Sequence, residues 1–368
     1  MISLSKEKGV VGLDLEAGSI AATEVHENGS AKATRSGVVP LPSGVVREGE
    51  VVDGDALSAA LKELFAEHKL AKAVRLGIAN QRVVVRTLRV PLIEKQSELE
   101  AAIRFQAQDQ IPMPLEQAVL DYEVVGRSTA DSGEATMDVV AVAARREMVS
   151  HLVQALRKAG LRPIGIDLSA FGMIRALAGE ATVAPDVVPS YEDRMHAEGG
   201  VEDQTPAALY CNLGDVTNLA IARGRTCLFT RVSTFGVEGT AQRLAERRGL
   251  TLDHARQWLS HVGLSAPTEE LEGDPETVAA ARDALAEGAA KLVDEIRLSL
   301  EYYAAQEGVV AVERVVACGA GTTIPGFVER VERELGIAVV AARPEALAHL
   351  EPASAARLTL SYGLATEL

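Results

Sequence analysis

No stretch of this 368-residue sequence comes close to the ~20 consecutive apolar residues that a membrane-spanning helix needs. Its opening, MISLSKEKG, also lacks the apolar core of a secretory signal, so the chain is expected to stay in the cytoplasm. Cysteine is scarce. Cys211, Cys227 and Cys318 each sit inside an apolar, strand-like run, at spacings that fit neither a zinc motif nor a disulfide framework, and they are expected to be buried, reduced packing residues. There is no Gly-Lys pair, which rules out a Walker loop, and no Gly-x-Ser-x-Gly nucleophile elbow. Histidine forms no His-x-x-x-His pair, and His254 and His261 fall about two turns apart on a predicted helix without a third ligand.

Basic surface is lacking as well. Against 52 Asp and Glu stand 37 Lys and Arg, a net charge of −15, and the cations are scattered along the chain. That balance argues against nucleic acid as a partner and disfavours an anionic membrane surface. Aromatic residues make up only 4% of the chain while glycine occurs 31 times, a composition suited to close packing of helices on sheets. With 47% hydrophobic and 24% charged residues the chain is globular rather than disordered, and its length suffices for two or more ordinary domains.

The most specific feature present is a duplicated hairpin. Val10–Glu27, VVGLDLEAGSIAATEVHE, returns in altered form as Ala208–Arg223, ALYCNLGDVTNLAIAR. In each copy an apolar run carries Asp14 or Asn212, a short polar break contains a glycine, and a hydroxyl residue, Ser19 or Thr217, opens a second β-rich run. Short polar breaks between apolar runs predict strand-turn-strand, and a turn with free N–H groups and a hydroxyl can bind an anion. Two such tips facing each other would clamp a polyphosphate. A third element, Arg314–Phe327, RVVACGAGTTIPGF, predicts a buried strand, a glycine turn and a helix start, and helix N-termini attract anions or polar edges. Gly319-Ala320-Gly321 lacks the third glycine of a dinucleotide fingerprint.

In chain order, three strand-like runs between Val10 and Pro40 precede a loop, Leu41–Gly54, a helix over Asp53–His68 with a capping aspartate, and a strand over Ala73–Ala79. Near Gln81 a separate small unit begins: strand Arg82–Val90, helix Glu94–Gln110, then strands Val119–Gly126 and Ala135–Ala143. Its helix is stopped by Ile111-Pro112-Met113-Pro114. A helix with Met148, Leu152, Ala155, Leu156 and Ala159 on one face leads to strand Arg162–Asp167 and helix Ser169–Ala178. Gly179–Pro206 is acidic and aperiodic, a solvated loop. From Ala207 the opening pattern repeats, with strands near Leu209, Leu219 and Leu228 and helices over Val237–Arg248 and Asp253–Val262. An acidic loop, Ala266–Pro275, precedes a long helix ending near Gln306. Strand Arg314–Ala317, helix Ile324–Leu335, strand Ile337–Val340 and a last helix from about Ser354 complete the chain.

The two hairpins, Leu41–Val52, Phe105–Val125 and Cys318–Phe327 together resemble the actin-like ATPase superfamily and, within it, the type IV pilus assembly PilM family, related to the cell-division protein FtsA. The resemblance covers nearly the whole length. It implies an α/β fold with mixed sheets: two lobes built on duplicated ribonuclease-H-like domains, with a strand-helix-strand-strand subdomain inserted in the first. On that basis 1–81 and 145–206 form the first lobe, 82–144 the inserted partner-binding unit, 207–350 the second lobe, and 351–368 a helix returning to the first.

The resemblance further implies ATP with Mg²⁺ between the hairpins, Asp14 holding the ion through water. Ser19 would face the phosphates from one lobe and Asn212, Gly214, Asp215 and Thr217 from the other, with Gly236 and Glu238 at the next helix start. Gly319, Ala320 and Gly321 would lie beside the nucleoside. The sequence departs from the family pattern at the tips. Asp-Ile-Gly appears as Asp14-Leu15-Glu16 in the first copy and as Asn212-Leu213-Gly214, followed by Asp215, in the second, and Ala320 stands within the later glycine run. Glu16 and Asp215 are expected to repel phosphate, because like charges a few ångströms apart in a partly closed cleft cost several kcal/mol unless a cation intervenes. Hydrolysis is therefore expected to be weak or absent.

For the inserted unit, the resemblance implies that Leu99, Ile103, Phe105 and Ile111 line a groove for the N-terminal cytoplasmic tail of a PilN-like, bitopic inner-membrane protein. That would hold the chain at the periphery of the inner membrane without insertion. A pilus motor ATPase is a second implied partner, and an oligomer is compatible. The alternative on the same fold is a hydrolysing ATPase or small-molecule phosphotransferase, with Asp14, Asp215 or Glu238 positioning metal or water. An FtsA-like filament component would need an amphipathic membrane tail, which is not expected before the last residue, Leu368.

Overall fold

The computed structural model describes residues 9–27, 31–129, 135–178, 206–306 and 309–366. The loop expected over Gly179–Pro206 lies, except for Pro206, outside the described residues. Strands β1 (Val10–Leu15), β2 (Ser19–Glu27) and β3 (Ala31–Pro40) form an antiparallel meander. A two-strand ribbon, β4 (Val46–Arg47) and β5 (Glu50–Val51), leads into helix α1 (Gly54–Glu67). Asp53 caps this helix, its Oδ1 accepting the N–H groups of Asp55 and Ala56 at 3.0 and 2.9 Å, donors that a helix start leaves without intrahelical partners. Leu57, Leu61, Leu64 and Phe65 recur at helical spacing and are buried. Strand β6 (Ala73–Ile78) then joins β1 in parallel.

The inserted unit runs β7 (Val84–Pro91), α2 (Gln96–Gln110), β8 (Ala118–Thr129) and β9 (Ala135–Arg145), with β9 between the other two strands. Helix α2 lays Leu99, Ile103 and Ala107 against Leu88, Val90, Val139 and Ala141, a small core separate from the main one. The chain returns through α3 (Arg146–Lys158), β10 (Arg162–Leu168), which pairs in parallel with β6, and α4 (Ser169–Leu177).

The second lobe contains β11 (Ala207–Leu213), β12 (Thr217–Arg223), β13 (Thr226–Ser233), α5 (Val237–Arg248), α6 (Leu252–Val262) and α7 (Pro275–Ala304). After these come β14 (Val312–Cys318), α8 (Phe327–Leu335), β15 (Val339–Ala341) and α9 (Pro352–Ala365). The two large sheets have orders β3-β2-β1-β6-β10 and β13-β12-β11-β14-β15, antiparallel through the first three strands and parallel through the last two. The fold is α/β with mixed sheets, two lobes of one design.

Boundaries differ from expectation where glycine or proline intervenes. Helix α8 starts at Phe327 rather than Ile324, because Pro325 has no N–H to give and Gly326 is left-handed at φ 75°. The glycine turn after β14 thus runs into a short 3-10 turn, Ala320–Thr323, not directly into the helix. The loop expected over Ala266–Pro275 carries its own 3-10 turn, Thr268–Glu270. Pro275 already begins α7, capped by Asp274, whose carboxylate accepts the Thr277 N–H at 3.0 Å. Cys211 and Cys318 are buried as expected, whereas Cys227 is only half-buried.

Helices α4 and α9 form a layer shared by the two sheets. One hydrophobic core runs from Leu13 and Leu76 of the first sheet, through Met173 and Leu177 of α4 and Leu358 and Tyr362 of α9, to Tyr210, Ala220 and Val316 of the second. Missing side chains make this layer possible. A Cβ at Gly363 would strike the carbonyl of Gly172, and one at Gly12 the carbonyl of Ser361, so α9 meets both α4 and β1 backbone to backbone. Arg175 seals the contact by donating Nε to the Gly363 carbonyl at 2.9 Å while pairing with Asp167. Overpacking so close a contact costs roughly 1–3 kcal/mol or more. Gly363→Ala is therefore expected to lower the unfolding free energy by about 2 kcal/mol, seen as a lower urea midpoint with an unchanged m-value, whereas Gly54→Ala, which faces open space, should stay within about 0.5 kcal/mol of wild type.

Candidate functional site

The two hairpin tips are held by backbone bonds to the elements behind them. In the first, Leu15 pairs with Ile20, Glu16 N–H donates to the Ser19 carbonyl at 2.9 Å, and the Gly18 carbonyl accepts Leu41 N–H at 2.9 Å, which ties the tip to the end of β3. In the second, Leu213 pairs with Thr217, whose N–H donates to the Phe235 carbonyl at 2.8 Å, and Val237 N–H donates to the Gly214 carbonyl at 2.9 Å. That fixes the tip to the start of α5. Gly236 permits the approach, since a Cβ there would run into the carbonyls of Gly214 and Asp215.

The tips touch across the lobes. Gly18 N–H donates to Asp215 Oδ2 at 2.9 Å, the Ala17 N–H also favours the charged form of that carboxylate, and the Asp215 N–H does the same for the carboxylate of Glu16. Each tip thus offers a carboxylate to the other's backbone. Beside them opens a narrow cleft of about 100 Å³, smaller than the roughly 300–1,000 Å³ of most small-molecule sites. Its wall on the α5–α6 side is Glu238 and Arg256: Arg256 donates Nε to Glu238 Oε2 at 2.9 Å, adds a second, closer bond from Nη2, and donates Nη1 to Asp253 at 2.6 Å. The guanidinium lies over Gly18, where any side chain would collide with it. Arg357, on α9, completes the lining from the first lobe.

Burial and mutual repulsion set the charge of this group. Asp14 is 6% exposed and accepts a hydrogen bond from Ser169 Oγ at 3.3 Å. Burial pushes its pKa up to about 7, Ser169 pulls it back, and the charge of Asp215 raises it further. Asp215 itself is pushed up to about 6, by burial and then by Glu238, against the N–H groups of Gly18 and Ala17 and the charge of Arg256. Glu16 lies well above the usual carboxylate range because of burial and the charges of Asp215 and Asp14, opposed by the Asp215 N–H and by Arg357. Near neutral pH these acids therefore carry less than their full formal charge.

Of the residues singled out in the sequence, Glu16, Ser19, Gly214, Asp215, Glu238 and Ala320 line the cleft. Asp14, Asn212 and Thr217 are buried beneath the tips, with Asn212 Oδ1 accepting the Cys318 thiol at 3.6 Å. The space a Cβ would need at Gly319 or Gly321 is filled by Asn212 and Leu213 for the first and by Leu213 and Val237 for the second. Gly236 stands behind its tip rather than in the cleft. Sequence reasoning missed Gly18, Arg256, Ser260 and Arg357 as lining residues; on α6 and α9 the arginines look like ordinary surface cations, and only tertiary packing brings them here. In the inserted unit Leu99, Ile103 and Ile111 are core residues, while Phe105 is 72% exposed. The four do not share a surface, because Phe105 falls off the 3–4 residue spacing that turns Leu99, Ile103 and Ala107 toward the sheet.

A family model described as type IV pilus assembly protein PilM matches residues 12–364. The chain belongs to this family. A solved PilM-PilN type IV pilus biogenesis complex is 25% identical over 98% of this chain and 98% of that one, with a TM-score of 0.76. The ethanolamine utilization protein EutJ from Carboxydothermus hydrogenoformans, 15% identical over 96% of this chain and 88% of that one, has a TM-score of 0.51. MreB5 of Spiroplasma citri bound to ADP, 12% identical over 97% and 94%, has a TM-score of 0.50. The fold is that of the actin-like ATPases. Among the described residues no helix is long and apolar enough to cross a membrane.

The raised carboxylates give a pH dependence of definite sign. Folded Asp14 and Asp215 hold protons that the unfolded chain would release, so their stabilising contribution is full below the unfolded pKa near 4 and is lost as pH rises through about 6 to 7. By calorimetry at constant ionic strength, the melting temperature is expected to fall by a few degrees between about pH 5.5 and about pH 8, with Asp14→Asn flattening the curve.

Proposed function

We propose that this chain is an actin-like, ATP-binding scaffold of type IV pilus assembly, or of a related secretion machine, that docks the N-terminal tail of a PilN-like inner-membrane protein through its inserted unit. The observation that carries the reading is the likeness over 98% of both chains to the PilM of a PilM-PilN complex. With the tail as its tether, the scaffold would work at the cytoplasmic face of the inner membrane. Phe105, a large apolar side chain standing 72% exposed on α2, supports the inserted unit as the docking surface, since aromatic anchors dominate binding energy at interfaces.

The nucleotide part of the reading rests on the donors gathered at the cleft. Ala17 and Gly18 N–H groups, the Ser19 hydroxyl and the guanidiniums of Arg256 and Arg357 form a set that fits phosphate oxygens. MreB5, on the same fold, binds ADP. Among the described residues no three metal-ligating side chains come together; Mg²⁺ needs none when phosphates and water supply most of its octahedron, with Asp14 the carboxylate beneath. ATP would bind beside the tips, and its different affinity for closed and open tips would shift which arrangement the partner meets. Hydrolysis is expected to be slow, because Glu16 and Asp215, the carboxylates nearest the tips, are engaged by backbone N–H groups.

Two measurements test this. Calorimetric titration with Mg-ATP is expected to give saturable binding in the micromolar range, lost in Asp14→Ala, with little steady-state phosphate release; fast release would favour the enzyme reading, and no binding at millimolar ATP would remove the nucleotide altogether. Titration with a synthetic PilN-type tail is expected to weaken about tenfold in Phe105→Ala while the melting temperature holds. Unchanged affinity would move the docking surface off α2, and no binding by wild type would sink the scaffold reading.

A further inference from the structure

The bond between the tips occupies the anion site. In a hairpin that receives phosphate, consecutive backbone N–H groups must converge on one point, forming a concavity of positive partial charge. In the first hairpin what lies at that point is a carboxylate of the same chain: Asp215 Oδ2 accepts Gly18 N–H at 2.9 Å, and the neighbouring Ala17 N–H also favours its charged form. A carboxylate oxygen and a phosphate oxygen accept such bonds alike, and only one can hold the position. The nearest cation is committed as well, because Arg256, lying over Gly18, is paired with Glu238 and Asp253.

We propose that Asp215 is a built-in competitor for phosphate: it holds the N–H groups of the first hairpin in the nucleotide-free protein, and a nucleotide enters only by displacing it. This rests on the reading of the cleft as a nucleotide site. Because the Asp215 N–H in return favours the charged form of Glu16, displacing the side chain also disturbs the reciprocal contact. The tips are therefore joined without nucleotide, and phosphate loosens their direct contact instead of creating it. Asp215 sets the affinity of the site and the sense of the switch together.

The test compares wild type, Asp215→Ala and Asp215→Asn as full-length chains, each verified as folded by its melting temperature. A fluorescent ATP analogue with Mg²⁺ is titrated, and amide hydrogen exchange is followed over residues 16–19 without nucleotide. The expected result is binding about tenfold tighter or better in Asp215→Ala, an intermediate gain in Asp215→Asn, which keeps the shape but loses the charge, and faster exchange at Ala17 and Gly18 in Asp215→Ala. Equal or weaker analogue binding in Asp215→Ala would overturn the proposal while leaving the nucleotide reading in place. Unchanged exchange at Ala17 and Gly18 would overturn it too, by showing that the carboxylate does not hold those groups. If none of the three proteins binds the analogue at millimolar concentration, the nucleotide reading fails and the competitor role falls with it, and the exchange data then report only whether the tips are joined.

Discussion

Everything at the cleft depends on a contact some distance below it, the close approach of α9 to α4 and β1. Gly12, Gly172 and Gly363 remove the side chains that would hold these backbones apart, and the core then runs unbroken from one sheet to the other. Close packing of this kind is stiff, because interiors have the density of organic crystals and transmit small displacements. It fixes the spacing of the sheets, and through it the distance at which the two tips meet. It also explains why a residue near the end of the sequence, Arg357, serves a site that starts at Glu16: the helix that bears it lies along the strand that bears Asp14.

Above that base, the site balances charge by hydrogen bonding more than by ion pairing. The carboxylates of Glu16 and Asp215 are each stabilised by N–H groups of the opposing tip, while the guanidinium nearby is taken up by Glu238 and Asp253. Partly buried carboxylates so arranged avoid the full cost of desolvation, since oriented amide dipoles replace part of the lost water. The expectation that Glu16 and Asp215 repel phosphate treated them as free charges. In the folded chain they are tethered acceptors, and their first effect is on each other's hairpin.

The duplicated hairpins, the inserted unit and the capped start of α1 were legible in the sequence because each is written in local chemistry: apolar runs of strand length, turn residues between them, an aspartate before a helical stripe. The α/β two-lobed fold follows from their order. What escaped was set at a distance. Nothing near Arg256 marks it as a cleft residue, and the partnership of Gly18 with Asp215 spans the two lobes. Helical spacing pointed to Leu99 and Ile103 as apolar, but which face of α2 meets the sheet and which meets solvent is decided by the packing of β7 and β9, and Phe105 went the other way. The shift of α8 to Phe327 was readable from Pro325 and Gly326 and was outweighed by the apolar Ile324 before them.

The inserted unit keeps its own core, built from Leu88, Ile103, Val139 and their neighbours and separate from the one that joins the sheets. The outer face of α2 can therefore change with little effect on the packing between the sheets, which the unit meets through its strands, at Val85 and Val142. In evolutionary terms the outer face of α2 is a part that can be rewritten by itself, and divergence is expected to accumulate fastest where the molecule is least bound to itself.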